Sequence, residues 1–243
     1  MGTAETMMGF LSEKKLTDKE LNSGLSYGLH VVEGQYYWLG GLSASGGSVE
    51  WLRSVLGEEP VSYEDMSQLV RQAGQRPTGI LYFPYLVGSG APWPDANIRG
   101  ALIGLDRQHG RAEIAKAVLE GTAYQMEAIR EAAELANGTQ PRSVISVGGG
   151  TRNMDWMQIK SDVSNCTFAI SSVSEAALVG AARLAAMGCG FVLGGPHSFP
   201  KMQAHEEKII VPSVVRHAEY HRIYETQFKP LRSVLSTNRR PLG

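Results

Sequence analysis

The sequence predicts an α/β fold with a mixed sheet flanked by helices, because strand-like runs open the chain, helical runs follow, and single strands then alternate with helices. The first observation is a hairpin: Gly24 to Val32 and Gln35 to Leu39 are rich in aromatic and apolar residues, and Glu33-Gly34 supplies the turn between them. The second is a long amphipathic run from Arg111 to Ala136. Ala115, Val118, Leu119, Thr122, Met126, Ile129, Ala133 and Ala136 share one helical face, and Asn137-Gly138 ends it. The third is a strand, turn and helix in direct succession. Arg142 to Val147 (RSVISV) predicts a short buried strand, Gly148, Gly149 and Gly150 form the turn, and Trp156, Ile159 and Val163 recur at helical spacing.

The remaining elements follow in order. After Gly2-Thr3 the chain runs through polar and methionine residues, and SEKKLTDKE predicts a surface excursion. GGLSASGGSVEWLRSVLG passes from a glycine-rich turn into a helix with Val49, Leu52 and Leu56 as its stripe and Gly57 as its cap. Another helix covers Tyr63 to Ala73. Gly79 to Phe83 and Ala101 to Leu105 read as strands on either side of a loop rich in glycine, proline and aromatics, in which Trp93 is either part of a functional loop or a buried aromatic plug. Thr167 to Ile170 is a strand. Ser172 to Glu175 fits a capping box for the helix EAALVGAARLAAMG, whose small residues predict close packing on a helix or a sheet, with Gly188 at its end. A Gly/Pro-rich link then leads to a last amphipathic helix, Val214 to Leu235.

Composition excludes several classes. The chain has 243 residues, 43% hydrophobic and 19% charged, with 23 basic and 24 acidic side chains and a net charge of −1. That balance points to neither nucleic acid nor membrane as a partner. No apolar run reaches the length of a membrane span, and no basic segment with an apolar core opens the chain. Cys166 and Cys189 have no motif spacing, which fits a reduced, cytoplasmic setting.

The chemistry concentrates on glycine. A strand-to-helix turn of three glycines lets a ligand approach the backbone, and the free N–H groups of the following helix favour anions. The alternative is a tight turn without a ligand. The spacing matches neither the dinucleotide fingerprint G-x-G-x-x-G nor a P-loop. Gly2-Thr3, Gly46-Gly47 and Gly148 to Gly150 make three such segments, and gathered around one cleft they suit a polyphosphate. No nucleophile elbow occurs; Ser45-Gly-Gly-Ser48 is a glycine turn. Among six histidines only His217 and His221 have the spacing of a metal pair, with an exposed helix surface as the plainer reading.

Taken together these segments resemble the C-terminal half of the FGGY carbohydrate kinases, which include xylulokinase, gluconokinase and glycerol kinase. Gly100-Ala-Leu-Ile-Gly104-Leu105, followed by Glu113-Ile114 and Ala117-Val118-Leu119-Glu120, is similar to the family's second signature. SVGGGTRNMDWMQIKSDV resembles its adenosine-binding segment, VSEAALVGAARLAAMGCG the helix after it, and RHAEYHRIYETQFKPL the closing helix. GGLSASGGSVEWLRSV and PYLVGSGAPWPDANIRG resemble the remaining blocks. The resemblance implies a ribonuclease-H-like, actin-type domain over residues 1–243 that binds ATP or ADP with Mg²⁺. By position it places Gly2 and Thr3 near the phosphates, Gly46, Gly47 and Glu50 beside the nucleotide, and Gly148, Gly149, Gly150 and Asn153 at the adenosine.

The resemblance also implies what this chain leaves to another domain. The family's general-base aspartate precedes the Gly-Thr pair, in a first domain that also carries most sugar contacts and the acidic residues near Mg²⁺. No catalytic residue and no metal ligand is therefore assigned here. The expectation is the nucleotide half of a sugar or polyol kinase, inactive alone; the alternative is a stand-alone nucleotide-binding module or a subunit pairing with a separately encoded first domain. Glu5 and Thr6 are set nearest the sugar, which the sequence does not choose. An uncovered cleft face further implies self-association as a homodimer.

Overall fold

The computed structural model describes residues 4–12, 17–138, 140–173, 175–191 and 208–237. Its centre is α4 (Arg111–Asn137), capped by Gly138 in the left-handed region as the sequence predicts. The predicted apolar face is buried, and burial goes further: every residue from Ala115 to Arg130 is enclosed. A helix surrounded on all sides must satisfy its own charges. Lys116 Nζ donates to the carbonyls of Gly74 and Arg76 at 2.6 and 2.5 Å. Glu120 accepts from Thr78 Oγ1 at 2.5 Å and from Tyr220 Oη at 2.9 Å. Burial pushes the Glu120 carboxyl up and the Lys116 ammonium down from their ordinary values, each opposed by the other's charge. Glu127 and Arg130 close a two-bond pair at 2.8 and 2.7 Å.

The described strands form three sheets rather than one continuous sheet, and the first two pack against this helix. β1 (Glu5–Ser12), β2 (Ser26–Leu29) and β3 (Gln35–Leu42) are antiparallel in the order β1-β3-β2. The predicted hairpin is β2–β3, with Ser26 opposite Leu39 and Leu29 opposite Tyr36, and Gly34 at φ +78° in its turn. β1 was not legible as a strand, yet it pairs along all of β3, from Glu5 opposite Leu42 to Ser12 opposite Gln35. β4 (Leu81–Phe83) and β5 (Ala101–Ile103) form a two-stranded ribbon against α4. β6 (Ser143–Ser146), β7 (Thr167–Ile170) and β8 (Lys208–Ile210) make the mixed sheet, with β6–β7 parallel and β7–β8 antiparallel.

The helices fall where periodicity put them: α2 (Ser45–Val55), α3 (Tyr63–Gln72), α5 (Met154–Ser164), α6 (Ala176–Gly188) and the run α7 (Val214–Ile223), a π segment (Tyr224–Phe228) and α8 (Lys229–Thr237). A four-residue helix, α1 (Asp18–Leu21), stands in the charged excursion. The π segment precedes Pro230, which has no N–H for the ordinary helical bond, and Lys229 N–H instead reaches the Tyr224 carbonyl. Tyr124, Tyr224 and Phe228 pack with Phe83, whose ring lies 4.7 Å from that of Phe228, and this cluster joins the closing helix to α4 and β4.

Three expectations are corrected. β6 is not a buried strand: Val144 faces the core, but Ile145 is 73% exposed, because β6 is an edge strand with one covered face. The capping box at Ser172 does not form, since α6 starts at Ala176 with Glu175 as its N-cap and no side-chain cap. Among the described residues the close packing foreseen for α6 is also absent: none of its side chains is buried.

Candidate nucleotide site

β1 places Glu5 between Ser45 of α2 and Lys160 of α5. Ser45, the first residue of α2, donates its Oγ to Glu5 Oε2 at 2.5 Å. Lys160 of α5 donates its Nζ to the other carboxylate oxygen. Lys160 is 3% exposed, and its ammonium stands 4.1 Å from the centre of the Trp156 ring. A buried ammonium is tolerated when a carboxylate and an aromatic face surround it. Trp156 is itself fixed, its indole N–H donating to Thr122 Oγ1 of α4 at 3.0 Å.

The glycine turn lies at the other end of α5. Gly149–Arg152 is one 3₁₀ turn, and Gly148 before it holds φ +93° and ψ 178°, which a side chain adopts only under strain. A Cβ at Gly148 would meet nothing within 4 Å, so the backbone there stands open to a ligand. Asn153 is the N-cap of α5: its Oδ1 accepts from Trp156 N–H at 2.9 Å, which leaves Nδ2 as the side chain's donor. Gly46 and Gly47 lie within the first turn of α2, not before it, and α2 starts from Ala44, which has no capping side chain. Through Glu5 the structure thus joins the α2 segment to the helix carrying the Gly148–Asn153 segment. Gly2 and Thr3 lie outside the described residues.

The cleft beside this junction has a volume of about 410 Å³ and is walled by Glu5, Thr6, Gly41, Ser43, Gly90 and Pro94 among others. Glu5 and Thr6 are the two residues set nearest the sugar by the resemblance. Glu50, like Gly46, Gly47 and the Gly148–Asn153 segment, does not line that cleft; it accepts from Tyr63 Oη and from Arg53 Nη1 at 2.7 Å, and the Arg53 guanidinium lies 3.8 Å from the Tyr63 ring centre. That carboxylate raises the Tyr63 phenol above its ordinary value. His217 and His221 do share a face, with ring centres 5.5 Å apart, and His217 Nδ1 is engaged with the Asp162 carbonyl at 3.0 Å. Among the described residues no group of three or more His, Cys, Asp or Glu is placed to hold a metal ion. Trp93 is partly buried against the core, with the Arg232 guanidinium 4.7 Å from its ring centre.

Sequence reasoning missed Lys160. Its signal was present: Trp156, Ile159 and Val163 fix the core face of α5, and a lysine at the fourth position after Trp156 falls on that face and needs a partner. The partner, 155 positions away, was not readable.

The family model for the C-terminal domain of the FGGY family of carbohydrate kinases matches residues 1–189. Xylulose kinase from Lactococcus lactis subsp. lactis is 30% identical over 226 residues, covering 93% of this chain and 44% of that protein. The crystal structure of xylulose kinase from Rhodospirillum rubrum superposes with a TM-score of 0.79 at 26% identity, over 97% of this chain and 46% of that one. The structure of Plasmodium falciparum glycerol kinase with ADP gives a TM-score of 0.76 at 21% identity, over 99% of this chain and 46% of that one. The fold is the ribonuclease-H-like one of these kinases. The chain belongs to the FGGY family of carbohydrate kinases, in which it corresponds to the C-terminal domain. It spans less than half the length of these relatives.

Proposed function

We propose that residues 1–243 are the nucleotide-binding lobe of a carbohydrate kinase that transfers the γ-phosphoryl group of ATP to a sugar or polyol hydroxyl. The observation that carries this reading is Glu5, which lines an open cleft and bridges the glycine-bearing first turn of α2 to α5. ATP supplies the phosphoryl group, with Mg²⁺ as its counter-charge. The main-chain N–H groups of Gly46 and Gly47 offer an uncapped helix terminus to phosphate oxygens, and by the resemblance Gly2 and Thr3 add to them. By the resemblance Gly148, Gly149 and Gly150 admit the adenosine, and Asn153, whose Oδ1 caps α5, has Nδ2 as the donor to offer it. Glu50 acts through Arg53 and Tyr63, holding α2 against α3. Phosphoryl transfer needs positioning of both substrates and stabilisation of charge. The second lobe supplies the general base and most sugar contacts, so the chain alone does not turn over ATP in a sugar-dependent manner. Names among the relatives favour xylulose or glycerol as acceptor classes.

The test compares sugar-dependent ATP consumption by the chain alone, by the chain joined to a first lobe, and by the two supplied separately. Activity in the joined form is expected; activity in the separate mixture identifies a pairing subunit. Full activity of the chain alone overturns the division of labour. A cytoplasmic setting and self-association belong to the same reading. Met8 and Phe10, 52% and 66% exposed, lie on the β1 face that Thr6 extends into the cleft. A purely monomeric chain in sedimentation at high concentration would refute the dimer.

A further inference from the structure

Glu5 and Lys160 belong to neither glycine-bearing segment, yet they connect the elements that carry them. One carboxylate oxygen of Glu5 holds Ser45 at the start of α2, and the other holds Lys160 on α5. A carboxylate at the uncapped start of α2 is favoured by the helix's positive end. The ammonium it compensates is 3% exposed, so neither charge is free to relocate cheaply. Lys160 lies seven residues beyond Asn153 on one helix, about 10 Å along its axis, so a shift at Lys160 moves the Gly148–Asn153 end with it.

We propose that the Glu5–Lys160 ion pair is the positioning device of the nucleotide half-site, setting the distance between the first turn of α2, with Gly46 and Gly47, and the glycine turn at the head of α5. Neither side chain touches the nucleotide; each acts through the element it holds. The proposal rests on the nucleotide reading above. The competing role is that Glu5 merely fills an anion site at the α2 terminus, which a phosphate then takes from it.

The experiment uses wild type, Lys160→Met, Glu5→Gln, Lys160→Arg and the double variant Glu5→Gln/Lys160→Met. Three quantities are read: amide exchange over residues 45–48 and 149–157 relative to α4, the dissociation constant for ADP, and the melting temperature. In Lys160→Met exchange rises about tenfold in both segments together, and ADP binds roughly tenfold more weakly through misplacement of its contacts. Lys160→Arg restores both. The double variant leaves no orphan charge, so its melting temperature recovers; fast exchange and weak ADP binding persist in it. That split separates positioning from mere charge compensation. Wild-type exchange in both segments of the double variant overturns the proposal, as does tighter ADP binding by Glu5→Gln. A wild type that binds no ADP refutes the nucleotide reading instead. Exchange then decides the coupling alone, with a rise confined to α5 counting against it.

Discussion

Gly121 of α4 lies against the backbone of Tyr82 in β4, and Gly121→Ala tests that contact. A Cβ at Gly121 would lie 2.1 Å from the Tyr82 carbonyl oxygen and 2.8 Å from Tyr82 C. Ordinary contact begins at 3.4 Å, so helix and strand must separate by about 1.3 Å. The obstacle is backbone, and α4 is enclosed on every side at this level, so no side chain can swing away to make room. Overpacking of this kind costs about 1–3 kcal/mol, and the upper end applies where backbone must move. Alanine recovers about 1 kcal/mol of helix propensity. The net loss is about 2 kcal/mol, which lowers the melting temperature by about 4–8 °C in a domain of this size. Gly180→Ala in α6 is the control: its Cβ meets nothing within 4 Å, so it gains up to about 1 kcal/mol from the same propensity. Thermal unfolding followed by circular dichroism reads both. A Gly121→Ala protein that melts at or above wild type would refute the close α4–β4 approach.

Tyr82 and Tyr85 set a limit on the alkaline side. Burial pushes both phenols from 10.0 up to about 12. Between those values the folded state keeps a proton that the unfolded chain releases, so stability is full below pH 10 and falls as pH rises towards 12. Tyr82→Phe costs about 1 kcal/mol at neutral pH, through the 2.9 Å bond to Ser48 Oγ, and flattens that alkaline fall in denaturant titrations. Asn153→Ala removes the N-cap of α5, costs about 1 kcal/mol in the same assay, and weakens ADP binding. Glu120→Ala strips Lys116 and Tyr220 of their shared partner and costs about 3–5 kcal/mol; a loss below 1 kcal/mol would show that the cluster admits water.

Much of this fold was legible because its longest elements carry unbroken periods. The α4 stripe, the β2–β3 hairpin, α3 and β7 fall where 3.6- and 2-residue spacing and turn residues put them. β1 escaped because ETMMGFLS has no β-branched run beyond Thr6; its strand identity comes from pairing along β3. β8 escaped because three residues, Lys208 to Ile210, are too short for a period and are held by β7. Ser172 has the residue type for a cap, but the chain turns helical only after Glu175. Within the site, glycine content announced the turn at Gly148, where φ +93° requires it. The Glu5–Lys160 pair depends on tertiary contact and left only the trace of a lysine on an apolar face. Much of the family signature proves structural: Glu113 caps Gly110 N–H at 2.8 Å, and Glu120 anchors Thr78 and Tyr220.

The measurement that bears most directly on the central claim is calorimetric titration of ADP, with and without Mg²⁺, into the wild-type chain and Gly149→Val, each alone and joined to a first lobe. A nucleotide lobe binds one ADP per chain in at least the joined form, and Gly149→Val abolishes that binding while the protein stays folded. No binding by either folded wild-type form, or equal binding by Gly149→Val, would contradict the assignment of the glycine turn and of the chain as the nucleotide-binding lobe.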